Sequence, residues 1–264
     1  MEASALDHQL FDLTDVTFAV AGRTILKPLS LTLAPGRIHG LVGQNGSGKS
    51  TLLKILARQV RPTGGSLRFG AKALDDWTDR DYARQVAYMP QFTPPADGMT
   101  VRELVALGRF PWHGTLGRFS AEDGRMVAAA IAHVGLGAFA DRAVDTMSGG
   151  ERQRAWLALM LAQNARCLLL DEPTSALDIA HQTEVLALVR DLAGERGMAV
   201  VVILHDINLA ARYCDEIVAL RDGCMVRRGP AADLMQPPVL EDIYGVRMGI
   251  FTHPVSGEPV SYLL

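Results

Sequence analysis

Residues 40–56 read "GLVGQNGSGKSTLLKIL". Four glycines, a lysine and several hydroxyls stand between the apolar run "RIHGLVG", which reads as a buried strand, and "KSTLLKILARQV", which reads as a helix expected to stop at Pro62. Residues 43–50, "GQNGSGKS", match G-x-x-x-x-G-K-[ST] with the strand-before, helix-after context that this pattern requires. Glycine tolerates backbone angles that side chains forbid, so successive N–H groups can converge on one anion. The following helix adds its unpaired amides and its dipole. Gly43, Gln44, Asn45, Gly46, Ser47, Gly48, Lys49, Ser50 and Thr51 are thus the candidate cradle for the phosphates of a nucleotide. Lys49 would neutralise the β- and γ-phosphates, and the Ser50 hydroxyl would ligate Mg²⁺. The bland alternative is a glycine-rich turn before a helix. A phosphate loop alone also leaves kinase, GTPase and transport motor open.

Residues further along narrow the choice. "RCLLLDEPTSALD" ends an apolar strand in two carboxylates. Asp171 would hold Mg²⁺ and Glu172 would polarise an attacking water, unless the two acids merely begin a polar loop. "VVVILHD" ends a strand at His205, placed to contact a γ-phosphate or the water, or else structural. In a parallel sheet such strand ends share the edge where ligands bind. In "MSGGERQRAWLALMLAQ", Ser148 and Glu151 form an S-x-x-E capping box ahead of a long helix. Ser148, Gly149, Gly150 and Glu151 also offer helix-start amides to a second phosphate group.

The rest of the chain sets the class. It has 264 residues, 48% hydrophobic, enough for a substantial core without disulfides. A net charge of -3 offers no global basic field, so no nucleic-acid partner is expected. Cys167, Cys214 and Cys224 have no metal-like spacing, and Cys167 reads as a buried thiol in a reducing compartment. The first fifteen residues do not read as a signal peptide, and no apolar run approaches the roughly 20 residues of a membrane span, so a soluble protein is expected. Strand and helix patterns alternate, as in "HQTEVLALVRDLA" with Val185, Leu188, Val189 and Leu192 at helical spacing and "MAVVVILHD" as a strand, which implies a parallel sheet covered by helices. Before it, "LTDVTFAV", "TILKPLSLTLAPG" and "GGSLRFGAKAL" read as antiparallel strands. Residues 100–146 read as helical, with a capping box at Thr100 and Glu103 and a second helix opening at Ser120. Residues 108–119, "GRFPWHGTLGRF", place Phe110, Trp112 and Phe119 among basic residues, either as part of a partner groove or as a loop packed between helices.

In order stand "GQNGSGKS", Gln91 in "AYMPQ", "MSGGERQ", "LLLDEPTSALD" and His205. This set, over roughly residues 12–230, resembles the nucleotide-binding subunits of ATP-binding-cassette (ABC) transporters. The resemblance implies an α/β P-loop NTPase fold with a RecA-like parallel sheet core, an N-terminal antiparallel β-subdomain and an inserted helical subdomain. Within a single domain over 1–264, about 1–90 and 155–230 would form the core with its β-subdomain, about 92–150 the helical subdomain and about 231–264 a C-terminal extension. It also implies a head-to-tail homodimer with ATP between the P-loop of one subunit and Ser148–Gly149–Gly150–Glu151 of the other. Gln91 would sense Mg²⁺ and the water, Asp178 would link the two sites, and His205 would be the switch histidine. Where the family stacks an aromatic on adenine this chain has Val20, with Phe18 two residues earlier on the same strand face, and Met147 replaces the usual leucine before the signature. "LHDINLAARYCD" and the tail from "LEDIYGVRMGI" resemble more closely the ATPases of iron-siderophore importers, ferric-hydroxamate uptake in particular, a pattern shared by heme and cobalamin importers. The partners implied are an integral-membrane permease and, indirectly, a solute-binding protein, with the chain peripheral on the cytoplasmic face of the inner membrane. A soluble ABC ATPase acting on nucleic acid or ribosomes, and a small-molecule P-loop kinase, are the alternatives; the latter leaves "SGGERQ" unexplained.

Overall fold

The computed structural model describes residues 9–113, 117–175 and 177–264. Three stretches read above reach outside them: the N-terminus at 1–8, the aromatic segment at 114–116 and the loop before Asp178 at 176. In chain order the elements are β1 (Phe11–Val20), β2 (Arg23–Leu33), β3 (Ile38–Val42), α1 (Lys49–Leu56), β4 (Gly64–Phe69), β5 (Lys72–Ala73), α2 (Asp79–Ala83), β6 (Val86–Met89), α3 (Val101–Ala106), α4 (Phe110–His113), α5 (Ala121–His133), α6 (Gly149–Gln163), β7 (Cys167–Leu170), α7 (Ile179–Arg196), β8 (Ala199–Ile203), α8 (Ile207–Tyr213), β9 (Glu216–Arg221), β10 (Cys224–Gly229), α9 (Ala231–Leu234), α10 (Pro237–Tyr244), β11 (Met248–Thr252) and β12 (Pro259–Leu263).

The described residues divide into two compact units, residues 1–76 with 193–264, and residues 77–192. The first unit holds the antiparallel sheet β2-β1-β4-β5. It also holds β3 between its parallel neighbours β8 and β9, with β10 antiparallel to β9. Every residue of β3 and of β8 is buried, which is why both read as unbroken apolar runs. His39 on β3 is the polar exception. Its ring bonds the Ala34 carbonyl at 3.0 Å and the Glu216 carboxylate at 2.9 Å, and Arg228 on β10 reaches the same carboxylate at 2.8 Å. Burial of the His39 ring is thereby matched by hydrogen bonds that tie three strands together.

α1 ends at Leu56, short of the expected stop at Pro62. Arg58 takes a left-handed φ of 56°, and the Gln59 amide turns back to the Lys54 carbonyl at 2.8 Å, a local C-terminal cap that needs no proline.

The second unit pairs β6 and β7 in parallel and contains the helices of the insert. Reciprocal capping boxes close the starts of α3 (Thr100 with Glu103), α5 (Ser120 with Asp123) and α6 (Ser148 with Glu151). Residues 107–113 are helical, where the sequence left a loop open. Arg109 holds this stretch down. It is 5% exposed, donates to Asp123 at 2.8 Å and to the Ala162 carbonyl at 2.8 Å, and lies over the Trp112 ring, whose indole N–H donates to the Gln163 carbonyl. Trp112 is thus fixed within its own unit, while Phe110 and Phe119 stay exposed.

Burial raises the Asp123 carboxyl, but the Ser120 amide, the Arg109 guanidinium and the Ser120 hydroxyl outweigh it and leave it at about 2. A carboxylate depressed by folding adds stability above its unfolded value and gives it up as pH falls toward the folded value, here between about pH 4 and pH 2. Near neutral pH, Arg109→Ala is expected to cost about 3 kcal/mol in urea denaturation, because it strands a buried carboxylate. The gap between variant and parent should narrow over that acid range.

Candidate nucleotide-binding site

The loop between β3 and α1 is wound around its own lysine. Lys49 is 5% exposed and its Nζ donates to the carbonyls of Gly43 (2.8 Å) and Gln44 (2.9 Å). Turning those oxygens inward demands backbone angles that only glycine takes without strain. Gly43 has φ 133°, Gly46 φ 78° and Gly48 φ 103°. At Gly43 a Cβ would stand 2.0 Å from the Leu220 carbonyl oxygen of β9, and at Gly48 2.6 Å from a Leu26 methyl of β2. At Gly46 it would meet open space. Gln44, Asn45 and Gly46 are exposed, whereas Ser47 is buried and its hydroxyl has no hydrogen-bond partner among the described residues. α1 starts from Gly48 with no side-chain cap and no acid in its first turn, unlike α3, α5 and α6. An amide-rich, uncapped helix start beside a buried ammonium is suited to a phosphate chain. Ser50 and Thr51 lie in that first turn.

On the same unit β8 runs beside β3, pairing Leu41 with Ile203, so the chain leaves both strands on one side. There His205 and Asp206 are exposed, and Asp206 caps α8 by accepting from the Asn208 amide at 2.8 Å. Phe18 is half-buried and Val20 exposed on β1.

The second unit carries the acids. Asp171, 2% exposed, continues β7 through its amide to the Met89 carbonyl, and its carboxylate accepts from the Tyr88 hydroxyl at 3.4 Å. Burial, then the Asp171 charge, push the Tyr88 phenol up to about 12, so it remains a donor at neutral pH. Glu172 takes a left-handed φ of 52°, uncommon outside glycine and costly unless function retains it. Its carboxylate accepts from the Gln91 side-chain amide at 2.6 Å. Folding therefore joins Gln91 to Glu172, which leaves the amide oxygen of Gln91 available to a cation. Hydroxyl, carboxylate and amide oxygens are the hard donors that Mg²⁺ prefers.

At the start of α6, Ser148 and Gly149 are exposed. The Ser148 hydroxyl accepts from the Glu151 amide, and the Glu151 carboxylate accepts from the Ser148 amide at 2.8 Å. The same hydroxyl also bonds the Glu151 carboxylate and, after the Ser148 amide, holds that carboxyl below its usual range. Met147 is buried at 4% exposure, so the methionine keeps an apolar core position before the signature. Asp178 accepts from the His181 amide at 2.9 Å and pairs with the His181 ring at 2.8 Å; the amide bond comes first in holding its carboxyl below the usual range. A Cβ at Gly150 would come within 2.4 Å of that ring. Within this unit His181 thus stands between Asp178 and Gly150.

The ABC transporter family profile matches residues 26–175. The chain belongs to the ABC transporter family. This ABC protein is 39% identical over 238 residues to the iron(3+)-hydroxamate import ATP-binding protein FhuC of Bacillus subtilis, covering 90% of this chain and 88% of that one. It is 41% identical to the hemin import ATP-binding protein HmuV of Gloeobacter violaceus, covering 91% and 89%. Among solved structures, an inward-facing transporter described as metal-chelate type superposes with a TM-score of 0.85 at 26% identity, over 97% of both chains. The fold is that of an ABC ATPase, a P-loop NTPase with an N-terminal antiparallel sheet and a parallel core sheet, and the chain is an ATP-binding ATPase.

Tyr88 and His181 were not singled out in the sequence. His181 had a local signal, the Asp-x-x-His spacing of a helix start. Tyr88 had none, because its partner lies 83 residues away. The loop geometry makes a comparative prediction. Gly43→Ala should cost about 2 kcal/mol or more in urea denaturation, since backbone meets backbone. Gly46→Ala should cost only about 1 kcal/mol of left-handed strain. Equal costs would contradict the winding described.

Proposed function

We propose that this chain is the ATP-hydrolysing motor of a membrane importer that takes up ferric siderophores of the hydroxamate type. The observation that carries the reading is the likeness to the hydroxamate import protein over 90% of the chain, which extends well past the segment shared by the whole family. The domain division assigned is the one expected from sequence, about 1–90 with 155–230 as the nucleotide-binding core, 92–150 as the helical subdomain and 231–264 as the extension. The similar identity to a hemin importer makes heme uptake the second reading.

In this reading two copies form a head-to-tail dimer. Residues 43–51 of one copy bind the ATP phosphates, with Lys49 against the β- and γ-phosphates. The start of α6 in the other copy, Ser148 to Glu151, faces the γ-phosphate with the amides of Gly149 and Gly150, while Ser148 and Glu151 brace the turn through their mutual bonds. Glu172 orients the attacking water and accepts its proton, and Gln91, already bonded to Glu172, holds that carboxylate in register. His205 contacts the γ-phosphate side of the site, and Asp178 relays between the two sites. Ser50, Asp171 and Gln91 are the residues this reading assigns to Mg²⁺. When bound, the ion offsets the negative charge that develops on the phosphate oxygens.

Among the described residues no helix is long and apolar enough to cross a membrane. In this reading, by likeness to importer subunits, the chain works with a membrane permease, peripheral on the cytoplasmic face, with a solute-binding protein upstream. A cleft of about 290 Å³ follows Gln91, lined by Pro94, Pro95, Asp97, Val144, Arg152 and Trp156. Phe92, 84% exposed, stands next to Gln91 in sequence. We assign this surface to the permease.

Loss of the chain in its host should abolish uptake of ferric hydroxamates while heme and cobalamin uptake persist; loss of heme uptake alone would move the substrate to the second reading. Glu172→Gln should bind ATP normally, hydrolyse it at least about 100-fold more slowly and accumulate closed dimers. Normal turnover in that variant would remove Glu172 from its role. Lys49→Ala should lose ATP affinity in equilibrium binding.

A further inference from the structure

Among the stretches that set this chain's likeness apart from the general family pattern, beside the insert, are "LHDINLAARYCD" and the tail from residue 240 onward. Folding brings them into contact within the first unit. The Asn208 side chain, on α8, is clasped to one residue of β12. Its Oδ1 accepts from the Ser261 amide at 2.8 Å and from the Ser261 hydroxyl at 3.0 Å, and its Nδ2 donates to the Ser261 carbonyl at 3.2 Å. The amide group thus pairs with the edge of the β11–β12 hairpin much as a neighbouring strand would, and Ser261 is buried at 7% exposure. The backbone amide of Asn208 is itself held by Asp206, the residue next to His205.

The same tail also reaches the phosphate loop. The Gln44 side-chain amide donates to the Tyr244 carbonyl. Gly245, at φ 71°, leaves room that a Cβ would take from that amide, at 2.9 Å. Asp242 on α10 anchors the tail through Arg221 at 2.8 Å and Arg227 at 3.1 Å. A cleft of about 380 Å³ between hairpin and α8 is bordered by His205, Asp206, Tyr244, Ser261 and Tyr262. The extension therefore touches the chain on both sides of the nucleotide site in this unit, at Gln44 and just after His205.

We propose that Asn208 is a positioning residue for ATP hydrolysis: clasped to Ser261, it fixes the Asp206 turn and so the backbone that presents His205. The inference rests on the assignment of His205 made above. It gives the C-terminal hairpin a part in turnover, as the rigid support against which the histidine is held. A side chain set by such support loses rate steeply when its placement relaxes.

The test is a double-mutant cycle on ATP hydrolysis by the full-length chain. His205→Ala should lower kcat about 100-fold. Asn208→Ala should lower kcat about 10-fold and leave the KM for ATP within about twofold, because the phosphate loop is untouched. In the His205→Ala background, Asn208→Ala should cause no further loss. Should Asn208→Ala fold poorly, Ser261→Ala, which removes one contact of the three and keeps the backbone pair, should lower kcat about threefold with the same dependence on His205. Full activity in Asn208→Ala beside an impaired His205→Ala overturns the inference alone, as does an equal loss in both backgrounds. Full activity in His205→Ala overturns the assignment of His205 and this inference with it.

Discussion

A lysine ammonium buried at 5% exposure, held by two carbonyls of its own loop, is the constraint on which the nucleotide site depends. Removing an ammonium from water is costly unless oxygens replace the lost hydration. The loop between β3 and α1 supplies them by coiling inward, and the coil is possible only with positive φ at Gly43, Gly46 and Gly48. Its close fit against Leu220 on β9 and Leu26 on β2 leaves no volume for side chains at two of those glycines. The antiparallel sheet and the parallel strands of the first unit are thus the two walls that keep the loop wound. The Gly223 turn adds to them, with its amide donating to the Ser47 carbonyl and its carbonyl accepting from the Lys27 amide.

A second theme is where the chain declines to satisfy itself. Three helices of the second unit close their first turns with reciprocal side-chain caps. α1 does not, and Ser47 beside it is buried with an unpartnered hydroxyl. Helix amides that no residue caps are available to an external anion. The capped start of α6 is a compromise. Ser148 and Glu151 close the turn through their mutual bonds, while Gly149 between them stays exposed. The same helix start can be stable in the lone chain and still offer a donor to a phosphate brought by a partner.

Strain gathers at the other end of the chemistry. Glu172 sits at φ 52° with its carboxylate on Gln91, while Asp171 beside it is buried and bonded by Tyr88. Adjacent acids are thereby given different surroundings, one dry and fixed, the other half-exposed. That separation lets two neighbouring carboxylates serve different roles without competing for one proton or one ion.

The alternation of strands and helices, the phosphate loop, the capping boxes at Thr100 and Ser148, the helix start at Ser120 and the buried runs at β3, β7 and β8 were legible in the sequence. Each is written in dihedral preference, hydrogen bonding or periodicity over a few adjacent residues. The premature end of α1 at Leu56 was not, because Arg58 takes its left-handed turn without a glycine to announce it. Nor was the fate of Trp112, which the sequence left open between a partner groove and a packed loop and whose indole N–H bonds the Gln163 carbonyl. The pairing of Gln91 with Glu172 spans 81 residues, and that of Asn208 with Ser261 spans 53. Such contacts leave no local trace, since any polar side chain of suitable length has the same propensity wherever its partner lies. The sequence alone supplied the candidate groups for binding phosphate and activating water. Which carboxylate is bonded to which amide, and what holds the histidine turn in place, was decided only when distant segments packed together.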